Sequence, residues 1–181
     1  ATYFLRENEA IFPSEANFVV RIQSFPSPKP IAMTLSPTNY LSIVKERFAE
    51  AGNPEDAQQQ IRYMRNQFEF YGLKAPVWMP IAKELFAEHG CFSGEELKIF
   101  VRLCYEEDHR EVHYLATEMA QKMVKKQTED FIDFLEEMIG LKSWWDTVDW
   151  ISKLVNIHLR RFPHLARPTT ERWMSSGAIW L

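Results

Sequence analysis

From Ser36 onward, apolar residues recur at intervals of three and four positions, with polar residues filling the gaps. SPTNYLSIVKERFAEAG opens on a Ser or Thr cap with an early proline, aligns Leu41, Val44 and Phe48 on one face, and stops at Gly52. NPEDAQQQIRYMRNQF starts with Asn53 as cap and Pro54 at the first helical position. APVWMPIAKELFAEHG ends in Gly90, and SGEELKIFVRLCYEE opens on a cap-like Ser93. HREVHYLATEMAQKMVKK puts Val112, Leu115, Met119 and Met123 on one stripe. TEDFIDFLEEMIG is shorter and ends in Gly140; SWWDTVDWISKLVNIHLRRF follows, and TTERWMSSGAIWL runs helically into Leu181.

The pattern predicts about eight helices joined by short loops and no persuasive strand. The expected fold is all-α, with stacked antiparallel helix pairs. That describes a HEAT-repeat-like α-solenoid or a plain helical bundle. A repeat near ~40 residues is weak, so periodicity leaves the choice between them open.

Residues 1–35 read differently. SFPSPKPIAMTLSP carries Pro26, Pro28, Pro30 and Pro37 without helical periodicity, which predicts an extended N-terminal arm, or a leader if Met33 is the natural start. Residues 36–181 form the helical domain. Trp173–Leu181 resembles a helix interior with no cap or glycine stop, which predicts that the natural protein continues past Leu181.

Composition narrows the class further. The 181 residues suit one domain, 46% of them are hydrophobic, and only 6 are glycines, which argues against an all-β chain rich in tight turns. Cys91 and Cys104 form no metal or disulfide motif, so a reducing cytoplasm is expected. No run is long and apolar enough for a membrane span, and the N-terminus lacks the pattern of a signal peptide.

A net charge of −4 would not by itself suggest a nucleic-acid partner, but the charges are segregated. Glu129, Asp130, Asp133, Glu136, Glu137, Asp146 and Asp149 face only Lys142 in their stretch. Lys153, Arg160, Arg161, Arg167 and Arg172 then face only Glu171. The basic run HLRRFPHLARP suits either phosphate contacts or a solvated loop. Arg62, Arg65, Lys74 and Lys83 could form a second basic edge near Tyr63.

The densest chemistry lies in KSWWDTVDW, Lys142–Trp150. With Ser143 at or near the N-cap, Val148, Ile151, Leu154 and Val155 face the core. Trp145, Asp149, Ser152 and Asn156 share another face, and Trp145 and Asp149 lie one turn apart. Asp146 falls in the first turn, where a carboxylate complements the helix dipole, and reads as structural. A carboxylate beside an aromatic wall suits a developing sugar cation; it equally suits a core edge next to a solvated acid. His109 and His113 follow Cys104, but no standard zinc spacing is present, and no metal is expected.

Four segments together resemble a known family. YMRNQFEFYGLKAP (Tyr63–Pro76), REVHYLA (Arg110–Ala116), KSWWDTVD (Lys142–Asp149) and WMSSGAIWL (Trp173–Leu181) are similar to the DNA alkylation repair enzymes, AlkD-type DNA glycosylases built from HEAT-like repeats. The resemblance spans residues 36–181. It implies a C-shaped groove that binds alkylated double-stranded DNA and releases N3- and N7-alkylpurines without extruding the base. It implies Asp149 and Trp145 as catalytic residues, the first stabilising the sugar cation and positioning water, the second packing on the deoxyribose. It also implies Tyr63 as a groove-lining aromatic. No metal or organic cofactor is implied.

The leaving group needs no protonation, because such a purine is already cationic; a negative charge and π faces near C1′ are then adequate. DNA contacts are expected from Tyr63, Lys153, Arg160, Arg161 and Arg167.

The chain also departs from the family. The family's Arg beyond the position of Trp180, and a further groove Trp, would fall after Leu181. VWMP stands where arginines often follow GLKAP. The rival expectation is a non-catalytic helical-repeat module that binds DNA or protein. A last helical face left open would favour self-association.

Overall fold

A computed structural model describes residues 35–181; the N-terminal arm expected for residues 1–35 lies, but for Leu35, outside the described residues. Eight α-helices follow in chain order among the described residues: α1 Pro37–Ala51, α2 Pro54–Tyr63, α3 Ala75–His89, α4 Gly94–Glu106, α5 Arg110–Met123, α6 Phe131–Gly140, α7 Trp145–Arg161 and α8 Ala166–Ser176. The only extended pairing among them is a single bridge between Glu69 and His109.

The helices stack as antiparallel pairs, α1 with α3, α4 with α5 and α6 with α7. Helix α1 packs on α4 in one layer, while α3, α5 and α7 pack side by side in the other. The first layer extends to α6 through ion pairs from Lys98 to Asp130 and from Arg102 to Glu137. Of the two all-α arrangements left open by the periodicity, this stacking is consistent with the helical-repeat, solenoid-like one.

One apolar core runs between the layers. Val44, Phe48, Leu85, Leu97, Phe100, Val101, Val112, Leu115, Met119, Leu135, Met138, Ile151 and Leu154 are essentially inaccessible. Each such large side chain contributes about 1.5–3 kcal/mol. A smaller cluster, Ala57, Met64 and Phe70 with Phe68 and Trp144 against it, seats α2 and the loop that follows.

Three helix ends differ from the sequence expectation. Helix α2 stops at Tyr63 rather than continuing to Phe68, because Arg65 and Asn66 adopt left-handed backbone at φ 56° and 58°. Such residues reverse the chain and cannot extend a helix. Helix α7 is preceded by an extended Trp144, not capped by Ser143; the Ser143 hydroxyl instead donates to the Ile139 carbonyl at the end of α6. Helix α8 begins at Ala166 and ends at Ser176, where Gly177 turns left-handed at φ 69°. The WMSSGAIWL stretch is therefore a helix end and turn rather than a helix interior.

Candidate functional site

Helix α7 presents Trp145 and Asp149 on one exposed face, a turn apart. Trp145 is 43% exposed, and Tyr63, the last residue of α2, is 71% exposed. Their rings meet edge to face, with centroids 5.8 Å apart and planes at 83°. Two large aromatics left this open on a surface are exceptional beside the well-buried aromatics of the core. The structure thus brings together Tyr63, Trp145 and Asp149, from sequence segments that lie far apart.

The Asp149 side chain is exposed and, among the described residues, has no hydrogen-bond or ion-pair partner; only its carbonyl accepts, from Ser152 Oγ at 2.8 Å. A carboxylate so placed retains both oxygens for a ligand or water.

What holds these groups in place lies behind them. Arg110 is fully buried at the start of α5. Its Nε donates to Asp146 Oδ2 at 3.1 Å, and Nη2 donates to Asp146 Oδ1 at 2.7 Å and Thr147 Oγ1 at 2.8 Å. Nη1 donates to the Lys142 carbonyl at 3.0 Å and meets His113 Nδ1 at 3.1 Å. The guanidinium also lies 3.8 Å from the centroid of the Phe68 ring. Tyr114 Oη donates to Asp146 Oδ2 at 2.8 Å, so Asp146 is a buried-side anchor rather than a free first-turn acid. Burial, and then the adjacent Asp146 carboxylate, push the Tyr114 phenol well above its ordinary range.

Glu111, the next residue, accepts from the backbone N–H groups of Tyr71, Gly72 and Leu73 at 3.1, 2.9 and 2.9 Å. Burial pushes its carboxyl up, and these donors act in the opposite sense. Arg110 N donates to the Glu69 carbonyl at 2.9 Å. The loop from Phe68 to Leu73 is thereby bound to the start of α5. Gly72 is required there: it sits at φ 87°, and a Cβ would lie 1.9 Å from the Asn53 carbonyl oxygen.

His113 stacks on Tyr105 with centroids 4.8 Å apart, and Nε2 meets the Glu107 carbonyl at 2.9 Å. Burial lowers its pKa to about 3, consistent with a neutral ring that donates from Nε2 and accepts from Arg110 at Nδ1. Both nitrogens are thus committed, and Cys104 is wholly buried. His109 instead stacks on Tyr71 at 3.9 Å, and no group of three or more metal-binding side chains occurs among the described residues.

The basic residues separate into two kinds. Lys153, a turn beyond Asp149, and Arg160, near the end of α7, are exposed and without side-chain partners among the described residues. Arg161 Nη1 donates to the carbonyls of Val124 and Gln127 at 3.1 and 3.0 Å, which ties the end of α7 to the turn after α5. Arg167 pairs with Glu171 at 2.7 Å, and Arg172 with Asp133 and Glu136. The second edge suggested near Tyr63 is similarly mixed: Lys74 pairs with Asp56, and Arg62 Nε donates to the Gln58 carbonyl.

Sequence spacing placed Trp145 beside Asp149, but neither Arg110 nor Glu111 stood out as a site-building residue. The pair of adjacent charges at the head of the Val112, Leu115, Met119 and Met123 stripe was the available clue.

Comparison with known proteins bears on this constellation. The family model for DNA alkylation repair enzymes matches residues 44–181. A solved structure described as a predicted DNA alkylation repair enzyme from Enterococcus faecalis is 30% identical, with a TM-score of 0.56, over 66% of this chain and 55% of that one. The chain thus spans about half the length of that solved protein. No curated protein matches it. Among the described residues, no helix is long and apolar enough to cross a membrane. The family match covers every helix that builds the Tyr63–Trp145–Asp149 surface, and the chain belongs to the DNA alkylation repair enzyme family.

Proposed function

We propose that the chain carries a DNA glycosylase site that cleaves the N-glycosidic bond of positively charged N3- and N7-alkylpurines in duplex DNA. The observation that supports this most is the exposed Tyr63–Trp145 edge-to-face pair, with the Asp149 carboxylate, unpartnered among the described residues, one helical turn from Trp145. The aromatic faces pack on the sugar and backbone of the damaged nucleotide. Asp149 stabilises cationic character at C1′ as the bond breaks and orients the attacking water. The alkylated base leaves neutral, so no general acid is required. Lys153 and Arg160 contact phosphates beyond the lesion along α7. Arg161 and Arg167 take a smaller part, since each guanidinium already has a partner.

This chemistry needs neither metal nor organic cofactor. The free Cys91 and Cys104 fit a reducing cytoplasm. Release of 7-methylguanine from methylated duplex DNA tests the reading, with Asp149→Asn as the matched variant. Release by the unaltered chain and not by the variant supports it. Equal release by both refutes the role of Asp149, and no release by either refutes catalysis by this chain.

A second reading is a helical-repeat module that binds without excising, or that self-associates. It is favoured by Met174 and Ile179, which are 85% and 90% exposed at the end of the helical stack. Sedimentation of the chain with and without duplex DNA tests it; a monomer that excises rules it out.

A further inference from the structure

We infer that Arg110 is a positioning residue of this site: through one buried guanidinium it holds the start of α7 and the loop after α2 in a single arrangement that brings Tyr63 against Trp145. The inference rests on the reading of that pair as the DNA-facing surface, but its geometry can be tested without activity.

Tyr63 and Trp145 do not fix each other. Tyr63 is largely and Trp145 partly exposed, and an edge-to-face contact between two such rings is weak. Neither parent segment is self-sufficient. Helix α7 starts without a side-chain cap, and α2 is followed by the left-handed Arg65 and Asn66, with no helix continuing to direct Tyr63. Some group must relate the two ends, and Arg110 touches both. On the α7 side it grips Asp146 with two parallel hydrogen bonds and adds Thr147 Oγ1, so the two residues that directly follow Trp145 share its hold. On the other side its flat face covers Phe68, and its own N–H donates to the Glu69 carbonyl. The Lys142 carbonyl, at a left-handed residue with φ 43°, is drawn in as well.

The guanidinium has five N–H groups, and each has an acceptor here. That completeness distinguishes a positioning device from a chance ion pair. A planar fork with all donors used permits few orientations, so a shift of either segment breaks several bonds together. A lysine has the charge but lacks the fork. It could keep Asp146 neutralised while releasing Thr147, Lys142 and the stack on Phe68.

The experiment incorporates 5-fluorotryptophan and follows the Trp145 fluorine resonance, assigned by its loss in Trp145→Phe. Tyr63→Ala defines the position of that resonance when the Tyr63 ring is absent. In Arg110→Lys and in Asp146→Asn, both checked for native helicity, the resonance is expected to move toward the Tyr63→Ala position or to broaden. In the core control Leu97→Val it should stay. An unmoved Trp145 resonance in either folded variant overturns the inference. If Arg110→Lys does not fold, Asp146→Asn alone decides.

Excision gives the second readout. With the unaltered chain active, single-turnover release should fall at least tenfold in Asp146→Asn while duplex affinity stays within about threefold. A merely structural pair would leave the rate of the folded fraction unchanged, and that result also overturns the inference. Should the unaltered chain release no base, the glycosylase reading fails, and the fluorine resonance still decides whether Arg110 sets the Tyr63–Trp145 contact.

Discussion

Arg110 and Asp146 form a two-pronged ion pair, at 2.7 and 3.1 Å, one residue along α7 from the exposed Trp145. Asp146 faces inward and Trp145 outward because neighbouring helical residues are separated by about 100° around the axis. A buried charge pair therefore sits one residue from a solvent-facing aromatic, and the two depend on the same first turn. Breaking such a pair strands a charge in the interior. Arg110→Met is expected to cost about 3–5 kcal/mol, whereas the exposed pair Arg102–Glu137 should be worth under about 1 kcal/mol. Urea unfolding of Arg110→Met and Arg102→Met compares them, and equal losses would contradict the burial argument.

The four cations expected from the sequence to meet DNA should behave differently. Lys153→Ala and Arg160→Ala should each weaken duplex binding and reduce the slope of log K against log salt by about 1. Arg161→Ala should mainly lower stability, because its Nη1 bonds to the Val124 and Gln127 carbonyls are lost. Arg167→Ala should do little to either. Salt titrations of binding, paired with thermal melts, separate these outcomes.

Gly72 is the position least tolerant of a side chain. Its φ is positive, and the Asn53 carbonyl oxygen stands 1.9 Å from where a Cβ would be, so alanine has no room. Gly72→Ala should destabilise by more than about 1 kcal/mol from backbone conformation alone, with the steric conflict added. It should also loosen the three N–H contacts to Glu111. Gly90, also at positive φ but with open space around it, should lose only the conformational part. Denaturant midpoints of the two alanine variants give the comparison.

Acid should unfold the protein through its buried histidines. Burial lowers the His113 pKa from 6.5 to about 3, and that of His158 moves in the same direction. Below pH 6.5 the unfolded chain binds protons that the folded chain excludes, so stability falls as pH falls and is regained as pH rises. At pH 5 the His113 contribution amounts to about 2 kcal/mol lost relative to pH 7. His158 adds to it, since Nε2 already meets the Glu129 carbonyl and the buried Nδ1 has no partner among the described residues. Unfolding free energies at pH 5 and 7 check the sign; a flat profile would mean that these rings take up protons while folded.

Helix existence was legible in the sequence because α1, α5 and α7 each carry an apolar stripe at helical spacing and α3 and α4 carry end signals at Gly90 and Ser93, and burial of such stripes is the main driving force for the fold. Helix ends were less legible. Arg65 and Asn66 carry no glycine to announce a left-handed turn, and the Ser143 hydroxyl donates to the Ile139 carbonyl instead of accepting from an N–H of the helix it precedes. Both outcomes depend on neighbours in space.

The candidate site divides in the same way. The spacing of Trp145 and Asp149 along one helix determined that they share a face, because helical geometry depends only on residue number. That Tyr63 stands against Trp145, that Asp146 turns inward to Arg110, and that Arg161 is occupied while Arg160 has no side-chain partner among the described residues were decided by tertiary structure alone. Each requires two segments distant in sequence to meet, and periodicity within one helix contains no information about which face of another helix it will touch.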